Sequence, residues 1–226
     1  MSAALRVLYE DNHLLVTEKP YGVPSQADET GDADMLSIAK AYVKQKYNKP
    51  GDVYLGLVHR LDRPTSGVMV FARTSKAAAR LSEQIRGGEF KKTYLAVLTA
   101  APAKRQGELS HWLTKDEAMH TAHIAKEGVP NAKQAMLAYE VLSEADGLFL
   151  VRVKLLTGRF HQIRAQFAAI GCAVYGDMKY GARDTKVPLA LHACCVCLIH
   201  PTTKSPMCFD SKPVRPPFNR FDIQED

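Results

Sequence analysis

Hydrophobic and polar positions alternate with period two in several short stretches, and recur at three-to-four spacing in a few longer ones. Leu5-Arg6-Val7-Leu8-Tyr9 and His13 to Glu18 read as two strands joined by the turn Glu10-Asp11-Asn12. Met35, Ile38, Ala39, Tyr42 and Val43 have helical spacing, stopped by Asn48-Lys49-Pro50-Gly51. Ala78, Leu81 and Ile85 mark a second helix, capped by Thr74 or Ser75 and ended by Gly87-Gly88. Phe90 to Thr99 and Glu108 to Leu113 are strand-like. Ala135 to Val141 and Leu148 to Leu156 form two more, turned by Glu144-Ala145-Asp146-Gly147. Between Leu113 and Ala135, residues 114–132 are polar and read as a solvated hairpin carrying His120 and His123. No repeat, low-complexity tract or clear boundary interrupts the pattern, so the expectation is one domain over residues 1–226.

The pattern breaks at two informative places. The first is Leu57-Val58-His59-Arg60-Leu61-Asp62-Arg63-Pro64-Thr65-Ser66-Gly67. Extended backbone there sends the side chains of Arg60 and Asp62 to one face. Arg63-Pro64 ends any ladder, because proline has no N–H to give. Thr65-Ser66-Gly67 turns the chain into an apolar strand, Val68 to Ala72. A carboxylate thus sits between two guanidiniums, which favour its ionised form. The second place is Thr157-Gly158-Arg159-Phe160-His161-Gln162-Ile163-Arg164, where a strand ends and a helix begins, to close at Gly171. Arg159 and His161 lie near the helix start, where unpaired N–H groups and the dipole favour phosphate. On helical spacing, Arg159, Gln162 and Gln166 share one polar face.

Composition narrows the classes. A chain of 226 residues with 46% hydrophobic and 24% charged residues has ordinary globular proportions and needs no staple. A net charge of +6 suits a polyanionic partner. Neither a long apolar segment nor a signal-type N-terminus is present, so the expected setting is cytoplasmic, away from membranes. Five cysteines is an odd number and argues against a secreted disulfide framework. Cys194 and Cys197 make a formal C-x-x-C, but they lie in the apolar run Leu189 to Ile199 and lack a second pair. They read as metal-free core thiols. With no P-loop and no dinucleotide Gly fingerprint, no cofactor is expected.

The string His59-Arg60-Leu61-Asp62 followed by Thr65-Ser66-Gly67 resembles the signature of the RluA-type pseudouridine synthases. Lys19-Pro20-Tyr21-Gly22 resembles the first motif of that family, and Lys92-Thr93-Tyr94 the position of its active-site tyrosine. Thr157 to Arg164 resembles a further motif, Gly176-Asp177 its Gly-Asp loop, and Leu191-His192-Ala193 its late core strand. The resemblance runs from about Leu5 to Phe218. On this reading the family's common S4-like RNA-binding extension is expected to be absent, which would leave target choice to the catalytic domain.

What the resemblance implies is specific. The fold is α+β, with a mixed, mostly antiparallel central sheet, flanking helices and a central RNA-binding cleft. The activity is isomerisation of uridine to pseudouridine in ribosomal or transfer RNA by a monomer, with no cofactor and no metal. Asp62 is the catalytic aspartate, either attacking C1′ or removing the 2′ proton. Tyr94 lies against the target base, and Arg164 pairs with Asp62. Arg60 fills the place of a flipped base, as a stacking guanidinium can. His59, Arg63, Arg159, His161 and Gln162 complete the RNA-binding set. The competing class is a non-catalytic RNA-binding protein or RNA chaperone on the same scaffold. Basic charge fits both, whereas an aspartate facing RNA phosphate suits only the enzyme.

Overall fold

The computed structural model describes residues 5–181 and 187–223, and it is α+β. The chain forms two compact units. The first comprises residues 1–91 and 193–211, the second residues 92–192 and 212–226.

In the first unit, β1 (Arg6–Glu10), β2 (Leu14–Lys19) and β4 (Ser66–Ala72) run side by side, and the β1–β2 and β2–β4 ladders are antiparallel. The short β3 (Gly56–Leu57) pairs with the end of β4. The expected run through Arg60 and Asp62 is therefore a strand only at Gly56–Leu57, and both charged residues lie on the loop before β4. The later strands β10 (Leu191–Ile199) and β11 (Pro206–Asp210) form an antiparallel ribbon.

Alternation along the central strands feeds two cores, as period two requires. Leu15, Met69 and Phe71 pack with Met35, Ala39 and Val43 of α1 (Met35–Lys46). Leu14, Val16, Val68 and Val70 pack with Ala77 and Leu81 of α2 (Ser75–Gly87). Strands covered on both faces read as continuous apolar runs, and Val68 to Ala72 is one. The caps follow the sequence. Asp34 accepts from the Ser37 N–H, Thr74 accepts from the Ala77 N–H, and Gly88 ends α2 in the left-handed conformation.

In the second unit the strand order is β5 (Lys91–Leu98), β9 (Leu148–Leu155), β8 (Lys133–Ala145), β6 (Gln106–Asp116), β7 (Thr121–Ala125), and each neighbouring pair is antiparallel. The polar stretch after β6 contains β7 and its turn, so the hairpin expected there is present. Helix α3 (Gln162–Ala169) differs from its expected form. It begins after Arg159, which lies outside it, and Gln162 through Phe167 are all buried. The supposed polar face points inward, where backbone carbonyls accept from its side-chain amide N–H groups. Gln166 donates to the carbonyls of Leu109 and Ala135, and Gln162 donates to that of Met136.

The cysteine expectation also needs correction. Cys194 and Cys197 are half-buried rather than core, and Cys197 is not a free thiol but forms a disulfide with Cys208 between β10 and β11. The cause is register: the ladder sets these two residues directly opposite each other.

Candidate active site

The loop that carries Asp62 is held from below by the first motif. Lys19 is fully buried, and its ammonium donates to the carbonyls of Pro20 at 3.1 Å and Arg63 at 2.9 Å. A buried cation survives only with such partners. The Gly22 N–H donates to the same Arg63 carbonyl at 3.0 Å. On the other side of Asp62, the Ser25 hydroxyl donates to the Leu61 carbonyl and accepts the Leu61 N–H, at 2.6 and 3.0 Å. The Thr65 N–H closes the turn onto the Asp62 carbonyl at 2.9 Å. Asp62 itself is half-buried and Arg60 is exposed. Gly67 completes the anchor with a positive φ of 119°. A Cβ there would land on the backbone of Ala193, so only glycine lets β4 approach β10 so closely.

Two flanking residues expected to contact RNA are engaged within the protein. The His59 ring accepts the Val70 N–H on Nε2 at 2.9 Å and packs on Phe90 with centroids 5.3 Å apart. The Arg63 guanidinium pairs with Asp32 and Asp28 and donates to the Gly22 carbonyl and the Thr30 hydroxyl. Both brace the loop.

In the second unit, Gln162 organises the Thr-Gly-Arg turn. Its Oε1 accepts from the Thr157 hydroxyl at 2.8 Å and the Arg159 N–H at 3.0 Å. Arg159 is exposed and anchored through Nε to the Gln134 carbonyl. Lys92 lies beside this turn, since its Nζ is 3.0 Å from where a Cβ on Gly158 would sit. Burial lowers the Lys92 pKa. Tyr94 is two residues on, on the same face of β5, and 6% exposed. Lys92 received no role from the sequence beyond its place in Lys-x-Tyr. Its burial beside the turn is the structural addition.

Arg164 is held by Asp177 in a bidentate pair, Nε to Oδ2 and Nη2 to Oδ1, both 2.7 Å. The Lys179 N–H adds a bond to Asp177 at 3.0 Å. The guanidinium lies over the Tyr180 ring, 5.1 Å from its centroid. Only the Gly-Asp motif hinted at Asp177, and nothing in the sequence joined it to Arg164. Gly176 makes the contact possible, because a side chain there would strike the Pro188 carbonyl.

His161 sits at the α3 N-cap with φ of 49°, stacked on Phe160 at 3.9 Å. Its Nδ1 is 2.9 Å from the Tyr180 hydroxyl, which also accepts the Ala122 N–H. With that N–H accepted, the Tyr180 proton is placed to be donated to a neutral imidazole. Burial, with Arg164 and Lys179 adding to it, lowers the His161 pKa to about 3. Below about pH 6.5 the unfolded chain takes up a proton that the folded one refuses. Stability due to this ring is thus full above that value and is lost as pH falls toward 3, by up to about 1.4 kcal/mol per pH unit. Urea unfolding at pH 7 and pH 4.5 should show a larger acid loss in wild type than in His161→Gln. Equal losses would remove His161 from the acid response.

The match to known proteins coincides with these motifs. Residues 13–169 match the family model described as RNA pseudouridylate synthase. That span is most of the chain and takes in Asp62, Tyr94 and Arg164. The chain belongs to the RNA pseudouridylate synthase family. It is 34% identical over 210 residues to the dual-specificity RNA pseudouridine synthase RluA of Yersinia pestis, covering 90% of this chain and 96% of that relative. It is 33% identical over 202 residues to the uncharacterized RNA pseudouridine synthase YhcT of Bacillus subtilis, covering 88% of this chain and 65% of that relative. The chain thus spans just under two thirds of the Bacillus protein's length. Among solved structures, human RNA Pseudouridylate Synthase Domain Containing 4 superposes with a TM-score of 0.77 at 25% identity, over 93% of this chain and 89% of that one. An RluA-type α+β fold, inferred from motifs alone, is the fold found.

Proposed function

We propose that this family member isomerises uridine in RNA to pseudouridine, with Asp62 as the catalytic residue. The observation that supports this most is the Asp62 loop itself. Its family motif is intact, and buried Lys19 and Ser25 fix the backbone on both sides of a half-buried carboxylate. A binding protein has no use for that investment in one aspartate. The reaction breaks the N1–C1′ bond, turns the uracil and joins C5 to C1′. It has no net redox change. Tyr94 and Arg164 keep the roles the resemblance implies, base contact and support of the aspartate. Arg60 and Arg159, both exposed, are the cations we assign to RNA contact. His59, Arg63, His161 and Gln162 support them from within. Ribosomal and transfer RNA are the target classes, in keeping with the dual-specificity relative. Among the described residues no helix is long and apolar enough to cross a membrane.

Pseudouridine mapping of total RNA with and without the gene tests the proposal. Loss of one or a few sites that return on complementation is expected, and an unchanged map would reject it. The excess of Lys and Arg over Asp and Glu, 30 against 24, makes a second prediction. RNA affinity should fall linearly with salt on a log–log plot, because phosphate contacts release counterions. A flat plot would refute phosphate-driven binding.

A further inference from the structure

The β10–β11 ribbon carries a group of thiols unrelated to the reaction above. In its ladder Cys197 is opposite Cys208, and Cys195 is opposite Asp210. Residues two apart on a strand share a face, and so do directly opposed residues. Cys195, Cys197, Cys208 and Asp210 therefore occupy the four corners of one block on one face. The formal C-x-x-C pair, Cys194 with Cys197, is three apart and splits across the two faces. The sequence motif groups the wrong sulfurs, and the ladder groups the right ones.

The three sulfurs of the block lie within 4.8 Å of one another, and the Sγ atoms of Cys195 and Cys197 are 3.7 Å apart. Thiolates bound to zinc sit about 2.3 Å from the metal, so two of them at a tetrahedral angle are about 3.8 Å apart. Cys195 and Cys197 already have that spacing. Cys208 is exposed, which gives a cation and a reductant a way in. With Cys197 and Cys208 joined as a disulfide, two of the three sulfurs cannot act as thiolates.

We propose that Cys195, Cys197 and Cys208 form a redox-gated site for a thiophilic divalent cation of the zinc group. A dithiol gives two electrons and two protons to the Cys197–Cys208 bond and becomes a disulfide; a phosphine gives the two electrons and becomes the phosphine oxide, with its oxygen and the two thiol protons coming from one water molecule. The cation then displaces three thiol protons and binds three thiolates, and Cys195, never part of the disulfide, is the ligand that makes the site more than a reduced pair. Oxidation by a diazene such as diamide, which takes the two electrons from the thiolates and two protons from solvent to become the hydrazine, returns the disulfide and expels the cation.

Cadmium is the probe, because its thiolate bonds absorb in the ultraviolet. The full chain, reduced with a phosphine and freed of it under inert gas, is titrated with Cd²⁺. The expected result is one equivalent bound with charge-transfer absorbance, and none by protein oxidised with diamide. Cys195→Ser should weaken binding tenfold or more, while Cys194→Ser should titrate as wild type. Circular dichroism of reduced wild type and both variants checks that the fold is kept. Absence of the absorbance in reduced, folded wild type would overturn the site. So would equal titration by Cys195→Ser, or loss of binding in Cys194→Ser.

Discussion

Asp62→Asn is expected to stop the release of tritium from C5 of labelled uracil in RNA, a loss of ~10⁴-fold or more, while RNA affinity stays within a few-fold of wild type. The substitution keeps the size of the side chain and removes only its negative charge. Both candidate roles, attack on C1′ and removal of the 2′ proton, need that charge. The loop should survive, because the bonds that Lys19, Gly22, Ser25 and Thr65 make to the backbone of Leu61, Asp62 and Arg63 do not depend on the charge at position 62. Binding rests on cations, and removal of an anion does not weaken them electrostatically. Wild-type release with none from the variant, at matched affinity, separates an enzyme from an RNA chaperone, for which neither protein would turn over. Comparable release from both would take Asp62 out of the mechanism.

Asp177→Ala should be the most costly single change to stability in the second unit, by roughly 3–5 kcal/mol. The Arg164 side chain is 5% exposed and that of Asp177 is 0% exposed. Removing the carboxylate takes the bidentate acceptor from a buried guanidinium and leaves the Lys179 N–H without its acceptor. The pair as a whole contributes less than its rupture costs, since desolvating two charges offsets most of their attraction. The double variant Arg164→Ala/Asp177→Ala should therefore be destabilised by clearly less than the sum of the two singles. Urea unfolding of the four proteins measures this. A loss below about 1 kcal/mol in Asp177→Ala, or strict additivity, would show that the pair is not what secures the α3 arginine.

Much of this protein was legible because its signals are local. The apolar runs of β2 and β4, the caps Thr74 and Gly88, and the turn before Leu148 each depend on a few neighbouring residues. The Asp62 and Thr157 motifs were legible for another reason: their strings are too specific to arise from pattern alone. Periodicity, however, reports only whether a position faces water, never which neighbour covers it. Helix α3 looked two-faced because Gln162 and Gln166 are polar, yet both are buried against carbonyls of Met136, Leu109 and Ala135. Lys19 and Arg63 are 44 positions apart, and Arg164 and Asp177 are 13 apart across a loop. Cys197 meets Cys208 rather than Cys194 because strand register, not spacing, brings sulfurs together. The sequence alone determined most of the strands and helices and the family to which the chain belongs. Tertiary structure decided which partner each buried charge, amide and thiol would have, because long-range pairing is settled only when the whole chain has chosen what to exclude from water.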